Sequence, residues 1–221
     1  MAETAFAGIP VEAFEFYEAL AADPSKIFWD GHKAQYLTKV REPLQALGAQ
    51  MADEFGAVHL FRPYRDVRFS KDKTPYKTNA GAVTEGEGGT SYYVQFNVDG
   101  LYCGAGYYRF APDQLERYRE AVAGEHGEAF VAAVAAVRKA GFELGGEALK
   151  TAPRGWPKDH PRIELLRHKG IYLGRAFPPA KWLSTRAALD RITGAWRGGA
   201  PFCSWLDTHV GPSELPPEDA W

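Results

Sequence analysis

At 221 residues the chain can bury one sizeable core, and its 45% hydrophobic and 14% aromatic content exclude a disordered protein. Its 26 Lys and Arg stand against 28 Asp and Glu. That net charge of -2 argues against a general nucleic-acid binder while leaving room for a local basic patch.

No stretch approaches the ~20 apolar residues of a membrane span. The opening MAETAFAGIPVEAF has no basic region leading into an apolar run, so neither a membrane segment nor a signal peptide is expected. Cys103 and Cys203 are far apart and outside any CxxC pattern, which points to reduced thiols in a cytoplasmic protein.

Pro10 to Ala22 reads as a first helix, with Phe14, Tyr17, Leu20 and Ala21 at helical spacing and Pro10 in the first turn. A second runs from about Asp30 through Val40, kinks near Pro43, and resumes through Leu44, Leu47, Met51 and Phe55 until Gly56. Val58 to Phe61, Tyr64 to Ser70 and Ala80 to Val83 are strand candidates, and Thr84 to Gly89 is a Gly/Glu loop. Ser91 to Val98 and Leu101 to Phe110 form the clearest hairpin, closed by Asp99-Gly100. Gly104 and Gly106 in its second arm predict a bulge or a close backbone approach, or room for neighbouring aromatics.

Pro112 opens a helix with Leu115, Tyr118 and Val122 on one stripe. Another spans Glu128 to Ala140, with Val131, Val134 and Val137 inward and Gly141 as its stop. Phe142 to Leu149 should be extended, and a short helix through Leu166 should be capped by Asp159 or His160 with Pro161 in its first turn. Ile171 to Phe177 is a strand, Ser184 is the expected cap of a helix through Leu189, Ile192 and Trp196, and Pro201 to Val210 closes the domain. The chain is read as one domain over 1–210 with a frayed acidic, Pro-rich tail over 211–221. The fold class is α+β: a central, mainly antiparallel sheet covered by helices from both ends of the chain.

One stretch departs from the overall acidity. FRPYRDVRFSKDKTPYKT sets Arg62, Arg65, Arg68, Lys71, Lys73 and Lys77 against Asp66 and Asp72 alone. If Tyr64 to Ser70 is a strand, Arg65, Val67 and Phe69 share one face, with Val67 and Phe69 toward the core, while Arg68 stands beside Asp66 on the other. Arg grips carboxylate or phosphate in a bidentate manner and Lys acts as a mobile point charge, so the stretch suits a small anion.

The stretch YRDVRFSKDKTPYKT resembles the signature of an uncharacterised family, domain of unknown function 2461, found in bacteria and fungi. The resemblance continues through Tyr92-Tyr93-Val94-Gln95-Phe96, Asp99 to Gly106, Leu149-Lys150, Pro153-Arg154-Gly155-Trp156, Asp159-His160-Pro161 and Glu164 to Arg167. It carries no activity and no catalytic residue set with it. In that resemblance a Trp-Phe pair followed by Asn-Lys or Asn-Arg opens the second helix, where this chain has Phe28-Trp29-Asp30-Gly31-His32-Lys33.

GxxxxGK[ST], GxGxxG opening a helix, HExxH and GxSxG are all absent, so no cofactor is read from the sequence. His160, Glu164 and His168 would align as metal ligands only on a helix reaching residue 168. Capping and Arg pairing account for them more simply, and no metal is expected. The candidate ligand-binding set is Tyr64, Arg65, Asp66, Arg68, Lys71, Lys73, Tyr76 and Lys77, joined by Trp156, Asp159 and His160 if the two loops meet. Three uses of the hairpin follow. A small-anion site, with or without catalysis, requires a concave cluster around Arg68 and Lys71. A protein or nucleic-acid interaction module requires an exposed face with Tyr64 and Tyr76 outward. A purely structural role requires buried pairs such as Arg65–Asp66 or Arg68–Asp72.

Overall fold

The structure, a computed structural model, describes residues 5–68, 71, 73–85 and 89–216. It is an α+β fold whose strands form a six-stranded antiparallel sheet in the order β1 (Val58–Leu60), β2 (Ala80–Glu85), β3 (Ser91–Asn97), β4 (Gly100–Tyr107), β6 (Ile171–Phe177), β5 (Glu143–Gly145). The chain groups into two compact units, each drawn from three stretches. The first takes Met1–Thr84, Tyr93–Cys103 and Ala176–Gly194, and the second takes Glu85–Tyr92, Gly104–Arg175 and Ala195–Trp221.

In the first unit, α1 (Val11–Ala22) buries Ala13, Phe16, Tyr17 and Leu20, the spacing of one helical face. Phe14 lies beside that stripe and reaches Phe96 at 5.4 Å. Helix α2 (Lys26–Gln35) starts before the expected Asp30, because the Ser25 hydroxyl accepts from the Phe28 N–H at 3.1 Å and caps it. The expected kink at Pro43 is a π-helical turn over Tyr36–Arg41, just ahead of α3 (Glu42–Phe55). Pro43 has no N–H to return to the Lys39 carbonyl and its ring crowds it, so the helix widens before the proline. Gly56, at φ 91°, ends α3 in a conformation that a side chain would strain.

Strand β1 (Val58–Leu60) pairs antiparallel with β2 (Ala80–Glu85), placing Val58 against Thr84 and Leu60 against Ala82. Thr84 and Glu85 therefore belong to β2 rather than to the loop expected from Thr84, of which residues 86–88 lie outside the described part. Strand β3 (Ser91–Asn97) turns into β4 (Gly100–Tyr107) with the Asn97 carboxamide accepting from the Asp99 N–H at 3.0 Å. The expected strand over Tyr64 to Ser70 is not formed in its described part. Only Tyr64 pairs, in an isolated antiparallel bridge to Tyr76. Two residues on, the Asp66 carboxylate accepts from the Arg68 N–H at 3.2 Å and turns the backbone out of ladder geometry.

In the second unit Gly106 settles the glycine question in β4. Its φ is 134°, and a Cβ there would stand 2.7 Å from the Ile171 carbonyl oxygen and 2.8 Å from the Tyr172 Cα. The close backbone approach is real. It comes from β6 (Ile171–Phe177), which also pairs with the short β5 (Glu143–Gly145). Helix α4 (Pro112–Ala123) is opened by Gln114, whose side chain accepts from the Ala111 N–H at 2.9 Å.

Helix α5 (Gly127–Lys139) buries Phe130, Val134 and Val137. Val131, expected inward, is 38% exposed, because Phe130 takes the core place one residue earlier. Helix α6 (Ile163–Leu166) is a single turn. The helix expected from Ser184 begins later, as α7 (Ala187–Gly198). Ser184 belongs to a preceding 3₁₀ turn, and Thr185 Oγ1 accepts from the Ala187 N–H at 3.3 Å instead.

Helix α8 (Ala200–His209) brings Trp205 onto Phe130 at 4.1 Å, with Phe202 behind it at 5.4 Å. The start of the expected frayed tail is fastened. Ser213 Oγ and the Glu214 N–H donate to Asp113 at 2.8 and 2.9 Å, and Arg117 donates to the Pro212 carbonyl at 2.7 Å. Residues 217–221 lie outside the described part.

Candidate functional site

The Tyr64–Tyr76 bridge organises the cationic stretch. Arg65 N–H donates to the Pro75 carbonyl at 2.9 Å and Lys77 N–H to the Pro63 carbonyl at 2.8 Å. The two prolines have no N–H to give, so each serves the bridge as an acceptor. Bridge partners point the same way, which puts Tyr64 and Tyr76 on one face and Pro63, Arg65, Pro75 and Lys77 on the other.

The tyrosine face turns inward. Tyr76 is 5% exposed and stacks on Trp29 at 4.5 Å and 11°, and Trp29 meets Tyr36 at 5.0 Å. Tyr64 leans on Tyr76 at 5.6 Å and on Trp29 at 5.7 Å but stays 44% exposed. Burial raises the Tyr76 hydroxyl above its ordinary value, with Asp30 and Tyr64 adding to it. Tyr76 therefore cannot face outward for stacking. Trp29 comes from the Phe28–Lys33 corner, where His32 stacks on Phe28 at 4.0 Å.

On the opposite face Arg65 and Lys77 are half-buried, diagonal neighbours across the bridge, a placement that puts Cα atoms about 7–8 Å apart. The Lys77 ammonium lies 5.2 Å over the Phe61 ring, and exposed Arg62 stands next in the chain to Phe61. Burial lowers the Lys77 ammonium below its ordinary value, and the Arg62 and Arg65 guanidiniums push it further the same way. These three cations repel one another in a half-dry setting.

Arg68 is otherwise engaged. Its guanidinium grips Asp66 at 2.7 Å (Nη2 to Oδ2) and 3.0 Å (Nε to Oδ1), with side chains 76% and 43% exposed. Those hydrogen bonds hold the Asp66 carboxyl below the ordinary carboxylate range. Lys73 Nζ donates to the Val67 carbonyl at 2.9 Å, and Lys71 is exposed. The concave cluster expected around Arg68 and Lys71 is thus an exposed loop braced by its own side chains. Phe69, Ser70 and Asp72 lie outside the described residues, and with them the expected core place of Phe69 and the Arg68–Asp72 pair.

Trp156, Asp159 and His160 belong to the second unit. Trp156 meets His160 edge-on at 6.1 Å, His160 Nδ1 accepts from the Arg162 N–H at 3.0 Å, and Asp159 is exposed. His160 thus organises the turn ahead of α6. With α6 ending at Leu166, the helical face that would align His160, Glu164 and His168 does not exist. Glu164 binds Arg167 at 2.9 Å, and His168 pairs with Ala148 in an isolated bridge. Among the described residues no group of three or more His, Cys, Asp or Glu is placed to hold a metal ion, and no helix is long and apolar enough to cross a membrane.

Phe61 and Arg62 were not among the candidates. For Phe61 the signal was parity, since it shares its face with Arg65, but parity becomes usable only once the register of the bridge is known; Arg62, of opposite parity, enters through its charge on Lys77. Residues 12–205 match the model of a family of conserved hypothetical proteins, DUF2461. No curated protein matches the chain.

Proposed function

The chain belongs to the DUF2461 family of conserved hypothetical proteins, and from that premise we propose that it binds a small anionic, phosphorylated ligand at the face carrying Arg65 and Lys77. The observation that carries this reading is the crowding of Arg62, Arg65 and half-buried Lys77 at one spot. An entering phosphate turns their mutual repulsion into attraction, since Arg and Lys side chains both bind phosphate. Exposed Lys71 and Lys73 add positive charge to the anion's approach. The reading holds with or without catalysis. Cys103 and Cys203, both buried and neither in a disulfide, support a reducing, cytoplasmic setting.

Thermal denaturation of wild type, Lys77→Gln and Arg68→Ala/Lys71→Ala in rising inorganic phosphate tests the proposal. Phosphate at ~100 times its dissociation constant should add about 2.7 kcal/mol to wild type, a shift of several degrees. The shift should vanish in Lys77→Gln and persist, at higher phosphate, in the double variant. A wild type indifferent to phosphate overturns the reading. Exposed Phe61 and Tyr64, both at 44%, favour a second one, an interaction module binding a nucleic-acid or protein partner, for which the net charge of -2 is unhelpful. Its mark would be a steep loss of polynucleotide binding with salt.

A further inference from the structure

The surface beside Lys77 bears on what the phosphate is attached to. Ala80, Ala82, Val94 and Phe96 are buried on one side of the first unit's strands. The other side carries Phe61, Tyr93 and Tyr102, exposed or half-buried, with successive ring centroids 6.0 and 6.2 Å apart. Gly81 keeps the floor between them low, since a Cβ there would stand 3.2 Å from the Tyr93 hydroxyl and 3.4 Å from the Phe61 ring.

Beside the rings lies an amide pair. Asn79 Nδ2 and the Tyr93 hydroxyl both donate to Gln95 Oε1, at 2.7 and 2.5 Å. With Oε1 engaged twice, the pair offers Gln95 Nε2 as a donor and Asn79 Oδ1 as an acceptor. Aromatic ring, cation and a donor–acceptor pair are the groups that recognise a phosphorylated heterocycle.

Resting on the anion reading above, we infer that the ligand is a free nucleoside phosphate: its phosphate on Arg65 and Lys77, its base against the exposed Phe61 ring, and the base edge on Asn79 and Gln95. A polynucleotide needs cations along the whole aromatic row, because it carries a phosphate at every base. Here Arg62, Arg65 and Lys77 gather at the Phe61 end, and the 5.2 Å from the Lys77 ammonium to that ring keeps phosphate and base close together. That arrangement matches one terminal phosphate and one base.

The test is calorimetric titration of the full chain with inorganic phosphate, ribose 5-phosphate, the four ribonucleoside 5′-monophosphates and a single-stranded oligouridylate. At least one monophosphate should bind tenfold or more tighter than ribose 5-phosphate. In Phe61→Ala, at a 44% exposed position, that advantage should be gone, the variant binding monophosphates no tighter than it binds ribose 5-phosphate. Gln95→Glu, which replaces the amide donor, should change which base is preferred. Monophosphates binding no tighter than ribose 5-phosphate overturn the nucleotide inference and leave the anion reading standing. Failure of every probe, inorganic phosphate included, removes both. Tighter binding of the oligouridylate per nucleotide, with steep salt dependence, also overturns it, in favour of a polymer ligand.

Discussion

Lys77 differs from the other lysines of the hairpin in its surroundings: half-buried, over Phe61, and pressed by Arg62 and Arg65. Removing its charge relieves repulsion, so Lys77→Gln in phosphate-free buffer should unfold within about 0.5 kcal/mol of wild type, or later. A loss of several kcal/mol would show the ammonium to be structural. Two residues outside this face set the contrast. Asp207 accepts from the Thr90 N–H and hydroxyl at 3.0 and 2.8 Å and from the Tyr107 hydroxyl at 3.0 Å. Asp207→Ala strands these donors, and denaturant unfolding should read a loss of about 2–4 kcal/mol. Gly106→Ala combines positive φ with collision against the β6 backbone and should cost more than about 2 kcal/mol, by the same measurement.

Among the elements, helices and the β3–β4 hairpin were legible because their signals are local: apolar spacing, Pro at helix starts and Asp99-Gly100 at the turn. The failures have a common physical origin. Tyr64 to Ser70 alternates like a strand, but Asp66 caps its own backbone, and Lys73 ties the loop to Val67. Side chains satisfied the polar groups that a ladder would have used. The centre of the candidate site was hidden for a related reason. Which cations share a face depends on Tyr64 facing Tyr76, a register that no local pattern announces. Arg68 and Lys71, prominent in sequence, serve the loop's edge.

Burial pushes the Asp113 carboxyl up, but donors from Glu214, Ser213 and Arg117 outweigh it and hold it at about 2. Its contribution is therefore full above the ordinary carboxylate range and is lost as pH falls toward 2. Ending the chain at Gly211 should lower stability by about 1–3 kcal/mol at neutral pH, a difference that thermal melts should find shrinking in acid.

At the end of α8, His209 stacks on His126 at 4.2 Å, and Glu125 lies 3.5 Å from the His126 ring nitrogen. Burial first, and His126 second, hold His209 below the ordinary histidine value. Its neutral form is thus the stabilising one, and stability should fall as pH drops from about 7 to 5. His209→Gln should flatten that slope in urea melts. An unchanged slope would assign the pH dependence to other groups.

For the molecule as a whole, a net charge of -2 coexists with a face where three cations meet, so the interest lies in distribution rather than in sum. The most direct measurement is an NMR titration of the Lys77 ammonium with and without inorganic phosphate. Lys77 should lose its proton below the other lysines in the free protein, and phosphate should move its midpoint up. A Lys77 that titrates with the others and ignores phosphate would contradict the proposed anion site.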